Sequence, residues 1–180
     1  MKKTALATFG GGCFWFTETL FKELKGVEKV VSGYAGGKTA NPNYYELHEN
    51  NTGHAECIQI TFDPSIISYE TLLEIFFLTH NPTTLNKQGY DVGTEYRSVI
   101  FYHNEEQEKS AEKIKKKIDD EKIYDNPIVT EIVPYTAFYP AEEFHQDFYK
   151  RNQDSPYCEV IINPKLSKFR ERFSQLLKKE

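Results

Sequence analysis

Thr4-Ala5-Leu6-Ala7-Thr8-Phe9-Gly10-Gly11-Gly12-Cys13-Phe14-Trp15 begins as a strand and ends as a helix. Residues 4–9 read as a short buried strand that stops at three consecutive glycines. Residues 13–24 then carry Phe14, Thr17, Leu20 or Phe21, and Leu24 along one side of a helix, closed by Gly26. Cys13 therefore stands where a strand hands over to a helix. Glycine tolerates backbone geometries that other residues resist, and it leaves space above the side chain that follows.

The same alternation continues outward. Residues 27–34 read as a strand and 35–37 as a turn. Residues 38–51, polar and aromatic with Pro42 and several Asn, read as a loop or short helix rather than sheet. Residues 55–62 alternate, with Cys57, Gln59 and Thr61 against Ile58, Ile60 and Phe62, which predicts a strand with one buried face. Ser68 is placed to cap a helix carrying Leu72, Leu73, Ile75, Phe76 and Phe77, stopped before Pro82. Residues 83–95 read as loop and 98–102 as strand. Asn104 caps a charged helix through about residue 122, with Ala111, Ile114 and Ile118 on its apolar stripe. Residues 128–133 read as strand, 141–150 as a helical turn or two and 151–158 as polar loop. A last amphipathic helix over 164–178 carries Leu166, Phe169, Phe173 and Leu176. With neither repeat nor low-complexity linker, this is an α+β pattern, a mixed sheet with helices packed on it. At 180 residues it is expected to form one domain, residues 1–180.

Composition narrows the function. Lys and Arg number 22 against 27 Asp and Glu, a net charge of −5, whereas a nucleic-acid binder needs a basic face. The basic residues within 113–117 and Lys178-Lys179 read as solvated helix surface. Mean hydropathy is −0.61, and no stretch approaches the roughly 18 apolar residues of a membrane span. The apolar part of residues 1–9 is short and runs into glycines, which argues against a secretory signal and for a cytoplasmic protein beginning near residue 1. The three cysteines, Cys13, Cys57 and Cys158, are too few and scattered for a disulfide scaffold or a zinc site. Neither Cys-x-x-Cys nor His-Glu-x-x-His occurs, and no metal is expected.

Four short segments carry candidate chemistry. Cys13, in the first turn of a helix, feels the positive end of the macrodipole, which is expected to lower its pKa and favour the thiolate. As readily, it is a small buried hydrophobe. Phe14 and Trp15, the chain's single Trp, cannot both point into one core from one helical turn, so one of them lines a surface or pocket suited to an apolar substrate end. Glu56, in Gly53-His54-Ala55-Glu56, opens a strand. Beside an aromatic pocket, desolvation would raise its pKa and let it donate a proton; taken alone, it is a surface glutamate on an edge strand. Asp91 and Tyr96, in Asp91-Val92-Gly93-Thr94-Glu95-Tyr96-Arg97-Ser98, supply a carboxylate and a phenol. Tyr44-Tyr45 and the segment Ala141-Glu142-Glu143-Phe144-His145-Gln146 supply further phenols and an imidazole.

Together these segments resemble the methionine sulfoxide reductase A family, in order and in approximate spacing, as do Val31-Ser32-Gly33-Tyr34-Ala35-Gly36-Gly37 and the strand before Cys13. The resemblance runs over roughly residues 4 to 158. It implies a two-layer α/β sandwich with a mixed sheet and a ferredoxin-like core, followed by a long C-terminal loop and helix. It implies thiol-dependent reduction of methionine-S-sulfoxide, free or in oxidised proteins, without a cofactor. Cys13 would be the nucleophile that becomes a sulfenic acid and Glu56 the proton donor, with Tyr44 and Tyr96 as hydrogen-bonding helpers. Phe14 and Trp15 would hold the methyl group, His145 would join the substrate pocket, and Asp91 would order the site. Cys158 would resolve the sulfenic acid as a disulfide, later reduced by thioredoxin or another dithiol, while Cys57 is structural. The sequence departs from the family pattern at Phe16 for the frequent Gly, Glu95 for the usual Gln, Phe144 for Tyr, and Pro156. A cysteine hydrolase or acyltransferase using His54 or His145, and a non-catalytic redox sensor, are the competing readings.

Overall fold

The computed structural model describes residues 3–49 and 52–179. In chain order the elements begin with β1 (Ala5–Gly10), α1 (Phe14–Lys22), β2 (Val27–Ala35), α2 (Tyr44–Glu49), β3 (Ala55–Phe62) and α3 (Tyr69–Thr79). A small hairpin, β4 (Lys87–Gln88) and β5 (Asp91–Val92), comes next. It is followed by β6 (Val99–Tyr102), α4 (Glu105–Asp120), β7 (Glu131–Pro134), β8 (Phe138–Pro140), α5 (Phe148–Arg151) and α6 (Asn163–Arg172).

The main sheet runs β7-β6-β1-β3-β2-β8. Every neighbouring pair is antiparallel except β6–β7, so the sheet is mixed. Strand alternation divides its residues between two faces. Ala7, Phe9, Ile58, Ile60 and Phe62 face the large core, built with Leu20 and Phe21 of α1, Leu24 just after it, and Leu72, Leu73, Ile75, Phe76 and Phe77 of α3. Ala35, Ala55, Cys57, Val99 and Phe101 form a smaller cluster on the opposite face. Glu56 therefore shares the helix-covered face of Ile58, and Cys57 points away from it.

The caps fall at the residues expected from sequence. The Ser68 side chain accepts the Thr71 N–H at 3.0 Å and that of Asn104 the Gln107 N–H at 2.9 Å. Several boundaries differ. Cys13 precedes α1, with extended φ and ψ of −65° and 124°, and α1 ends at Lys22, followed by its C-cap Glu23. The segment 38–51 holds a short helix, α2; its last two residues, Asn50 and Asn51, lie outside the described part. Within the expected loop 83–95 sit the β4–β5 hairpin and a 3-10 turn, Thr94–Tyr96.

The strand expected over 128–133 begins only at Glu131, because the Val129 N–H is drawn to the Pro82 carbonyl and the Thr130 carbonyl accepts Lys115 Nζ. Strand β8 went unread: it is three residues long and pairs only along the sheet edge with β2. The 151–158 loop turns helical at Pro156 and passes through a π-helical segment, Cys158–Ile162, directly into α6. The final helix stops at Arg172, where Phe173 leaves helical geometry, and only a 3-10 turn, Ser174–Leu176, follows.

Two sequence motifs prove to be braces. Gln146 treats β2 as a neighbouring strand would, accepting the Ser32 N–H at 3.0 Å and donating to the Ser32 carbonyl at 2.9 Å. His54 accepts the Gly37 N–H at 3.0 Å and donates to the Thr39 carbonyl at 2.6 Å, which closes the loop after β2. Gly33, in the middle of β2, lies directly under β8. A Cβ there would come within 2.4 Å of Phe138 Cζ and 2.5 Å of the Tyr139 carbonyl. Gly33→Ala is therefore expected to lift β8 and to destabilise the protein by about 1–3 kcal/mol, the usual cost of overpacking. A urea midpoint equal to that of the unsubstituted protein would contradict this.

Candidate active site

The Gly10-Gly11-Gly12 run delivers Cys13 to the start of α1. Gly12 has φ +90°, and a Cβ on it would meet Gln88 Cγ at 2.7 Å, so both backbone and space require glycine there. From this corner Cys13 faces a cavity of about 110 Å³ lined by Cys13, Phe14, Trp15, Tyr44, Glu56, Asp91, Tyr96 and Tyr157. Residues from α1, α2, β3, β5, the 3-10 turn and the C-terminal segment thus converge on one small space. A second, more apolar hollow of about 270 Å³ adjoins it, sharing Cys13, Asp91 and Tyr157.

Glu56 is 2% exposed. Its Oε1 accepts the Phe14 N–H, at the first turn of α1, at 3.2 Å. Burial pushes its carboxyl pKa up, against the lowering effects of His48 and of that amide. A buried carboxyl of this kind holds a proton more readily than a solvated one.

Cys13 departs from expectation. The helix N-terminus was expected to lower its pKa. Instead burial, then the charge of Glu56, push the thiol well up, while the Trp15 N–H and the Tyr157 hydroxyl act in the opposite direction. Two negative charges facing one desolvated cavity oppose each other more than a helix terminus can offset. Thiolate on Cys13 and proton on Glu56 are thus coupled.

The phenols are donors. Burial pushes Tyr44 up to about 12, and Tyr96 and Tyr157 are pushed up for the same reason. All three keep their O–H protons at neutral pH. Tyr157 donates to Asp91 Oδ2 at 3.4 Å, and burial raises the Asp91 carboxyl.

The aromatic wall is stiff. Trp15 stacks on Phe148 with centroids 3.6 Å apart, meets Tyr157 edge-on, and donates its indole N–H to His145 Nδ1 at 3.0 Å. His145 was expected in the substrate pocket. It lies behind Trp15 instead, fully buried, with its pKa lowered by desolvation, and does not line the cavity.

Three residues were not singled out from sequence. Tyr157 lines the cavity itself. Glu142 accepts the Tyr34 hydroxyl at 2.9 Å and the Tyr44 N–H at 3.0 Å, anchoring α2 over the site. His48 lies one turn after Tyr44 on the same helix, with Nε2 3.5 Å from Glu56 Oε2 and Nδ1 2.9 Å from Glu95 Oε2. The four-residue spacing of Tyr44 and His48, which puts both on one helical face, was the signal available for it.

All three cysteines are free. Cys57 lies in the cluster on the far face of the sheet, and burial pushes its thiol up to about 12. Cys158 is fully buried in the main core and lines neither hollow beside Cys13, although its neighbour Tyr157 lines both. Among the described residues no group of three or more His, Cys, Asp or Glu is placed to hold a metal ion. No described helix is long and apolar enough to cross a membrane.

Comparison with known proteins agrees with this geometry. The family model of peptide methionine sulfoxide reductase matches residues 5–177. The peptide methionine sulfoxide reductase of Sulfolobus acidocaldarius is 55% identical over 93% of this chain and 94% of its own length. Mxr1 of Saccharomyces cerevisiae in reduced form superposes with a TM-score of 0.81 at 35% identity, covering 87% of this chain and 90% of that one. The same yeast protein in complex with Trx2 superposes with a TM-score of 0.58 at 31% identity, over 81% and 85% of the two chains. With its cysteine, buried carboxyl and phenols gathered on this fold, the chain belongs to the peptide methionine sulfoxide reductase family of oxidoreductases.

Proposed function

We propose that the chain reduces methionine-S-sulfoxide, free or within oxidised proteins, to methionine, with Cys13 as nucleophile and Glu56 as proton donor. The observation that carries this reading is the shared cavity: a cysteine, a buried carboxyl and three phenols face one space walled by Phe14 and Trp15. The substrate's methyl group packs against the two aromatic rings, and its oxygen lies toward Glu56, Tyr44 and Tyr96. Cys13 attacks the sulfoxide sulfur. Charge gathers on the oxygen as the S–O bond breaks, and the Glu56 proton and the phenol hydrogen bonds stabilise it. The protonated oxygen then bonds to the Cys13 sulfur as the bond between the two sulfurs breaks; methionine leaves, reduced by two electrons, and Cys13 is oxidised by two to a sulfenic acid. Asp91 orients Tyr157 beside Cys13, and His145 fixes the tilt of Trp15.

Cys158 then attacks the sulfenic acid, water leaves, and a dithiol of the thioredoxin type reduces the disulfide; the yeast relative seen in complex with Trx2 supports that partner. Cys158 starts buried, so this step requires the segment from Pro156 through the π-helical turn to unwind. π-Helical geometry is a strained form often found at functional positions. Cys158→Ser is expected to keep one stoichiometric turnover but to stall with thioredoxin. Undiminished thioredoxin-driven cycling would assign resolution to another thiol.

The strand order β6-β1-β3-β2, with α1 and α3 as crossovers, supports a two-layer sandwich with a ferredoxin-like core. The continuous main core supports a single domain over residues 1–180; we propose in addition that it acts in the cytoplasm without a bound cofactor. Neither His54 nor His145 lines the cavity, which weighs against a cysteine hydrolase. The reading is tested by incubating the protein with each epimer of methionine sulfoxide and dithiothreitol: methionine is expected from the S epimer, and none from either would refute it.

A further inference from the structure

Beside the catalytic cavity lies a larger hollow, about 270 Å³ against about 110 Å³, and the two share Cys13, Asp91 and Tyr157. Attack by Cys13 explains the smaller space and leaves the larger one without a role. The hollow lies between the β4–β5 hairpin, the end of α3, Phe16 of α1 and the C-terminal segment from Val160 to Lys165. Its lining is apolar even where its residues are not. Burial lowers the His80 pKa to about 4, so this ring at the hollow is neutral. Its Nδ1 donates to the Phe76 carbonyl at 2.5 Å and its Nε2 accepts the Ser98 hydroxyl at 2.7 Å, which leaves ring carbon for the hollow. The Thr79 hydroxyl is taken up by the Ile75 carbonyl at 2.6 Å, and both ends of the Gln88 amide by the Asn81 backbone at 2.9 Å. Phe16, where the family pattern frequently has glycine, adds a ring held under the Lys165 ammonium, 5.3 Å from its centroid. At the mouth Val160 is 68% exposed and Tyr90 95%. Apolar groups left open beside a reaction centre mark a place for an apolar ligand.

We propose that this hollow is a specificity subsite for a bulky apolar side chain one or two residues from the methionine sulfoxide of an oxidised polypeptide. This rests on the methionine sulfoxide reductase reading given above. Consecutive Cα atoms are about 3.8 Å apart, so a neighbouring side chain reaches a hollow that shares walls with the cavity holding the sulfoxide. Free methionine sulfoxide has nothing to place there. Beyond the side chain in the cavity it offers only its ammonium and carboxylate, which an apolar hollow cannot solvate. A polypeptide does better. Methionine packs among apolar neighbours, and its oxidation disrupts that packing and frees them. Burying one of those neighbours in the hollow strengthens the binding of protein-bound substrate alone. The hollow thereby directs the enzyme to oxidised apolar segments over the free amino acid.

The test measures the second-order rate constant for methionine formation in a single turnover of prereduced enzyme. The reference substrate is an acetylated, amidated pentapeptide with methionine-S-sulfoxide at its centre and glycine elsewhere. It is compared with peptides carrying one leucine at each flanking position in turn. At least one leucine position is expected to raise the rate constant about tenfold, and glutamine at that position less than about twofold. Val160→Asn and Tyr90→Ala should each cut the leucine-to-glycine ratio by at least about threefold. Each ratio is taken within one variant, so a general loss of activity cancels. If Val160→Asn fails to fold, Tyr90→Ala decides alone, since that side chain stands almost wholly in solvent. Equal rate constants on all the peptides, an equal gain from glutamine, or a ratio unmoved in the folded variants overturns the subsite. So does a fall confined to thioredoxin-driven cycling, which would give the hollow to the reductant. A protein inactive on free methionine sulfoxide and on every peptide would sink the function and the subsite together. One active on all the peptides alike would sink only the subsite.

Discussion

Cys13→Ser is expected to abolish methionine sulfoxide reduction, with a fall of at least about 10⁴-fold, the scale on which removal of a nucleophile is felt. The reason goes beyond pKa. The sulfoxide oxygen must end on an atom that can be oxidised by two electrons, and a serine hydroxyl cannot form the counterpart of a sulfenic acid. The variant should fold normally. Cys13 occupies the N-cap position of α1 without making a side-chain cap hydrogen bond, and serine is among the preferred residues there. A loss of activity with an unchanged or slightly raised Tm is therefore the expected pair of results. Activity surviving in this variant, measured as methionine formed per enzyme, would end the assignment.

Glu56→Gln should cost about 10²–10⁴-fold in the single-turnover rate, the usual worth of a positioned general acid. Glutamine fills the same space and can still accept the Phe14 N–H through its amide oxygen, so the start of α1 should hold. What disappears is the transferable proton. The same change has an opposite effect on Cys13. The Glu56 charge helps to raise that thiol, so its removal should lower the Cys13 pKa and speed alkylation by iodoacetamide near neutral pH. Faster alkylation together with slower reduction at an unchanged Tm is the expected signature, since a distorted site that merely exposed the thiol would lower the Tm as well. Alkylation no faster than in the unsubstituted protein would show that the two groups are not electrostatically coupled.

The parts of the site that could be read in the sequence are those whose chemistry is local. Gly12-Cys13-Phe14-Trp15 encodes its own backbone geometry, a positive-φ glycine followed by a helix start, although both rings line the same cavity instead of parting. The alternation of residues 55–62 set Glu56 and Cys57 on opposite sides of β3 before any contact was known, because side chains on a strand alternate with period two. What could not be read depends on distance in the chain. The four-residue spacing from Tyr44 is the only sign of His48 in the sequence; its place beside the site follows because α2 lies across the end of β3 and the 3-10 turn brings Glu95 to its other nitrogen. The family resemblance placed His145 in the substrate pocket; packing puts Trp15 in front of it.

Charge follows the same division. From the helix start alone the Cys13 thiol should be acidic, since the local dipole is all the sequence displays. In the folded protein burial and the facing Glu56 reverse that direction, because Coulomb terms strengthen once water is gone and neither acts until distant segments meet. By itself the sequence thus pointed to the candidate nucleophile, the strand and helix that present it, and the family pattern it follows. Tertiary structure alone decided that Cys13 and Glu56 face one desolvated cavity, that Cys158 begins buried and away from it, and that His48 lies between Glu56 and Glu95. The physical reason is that propensity and periodicity act within a few residues, whereas desolvation and charge pairing arise only where separate segments pack together.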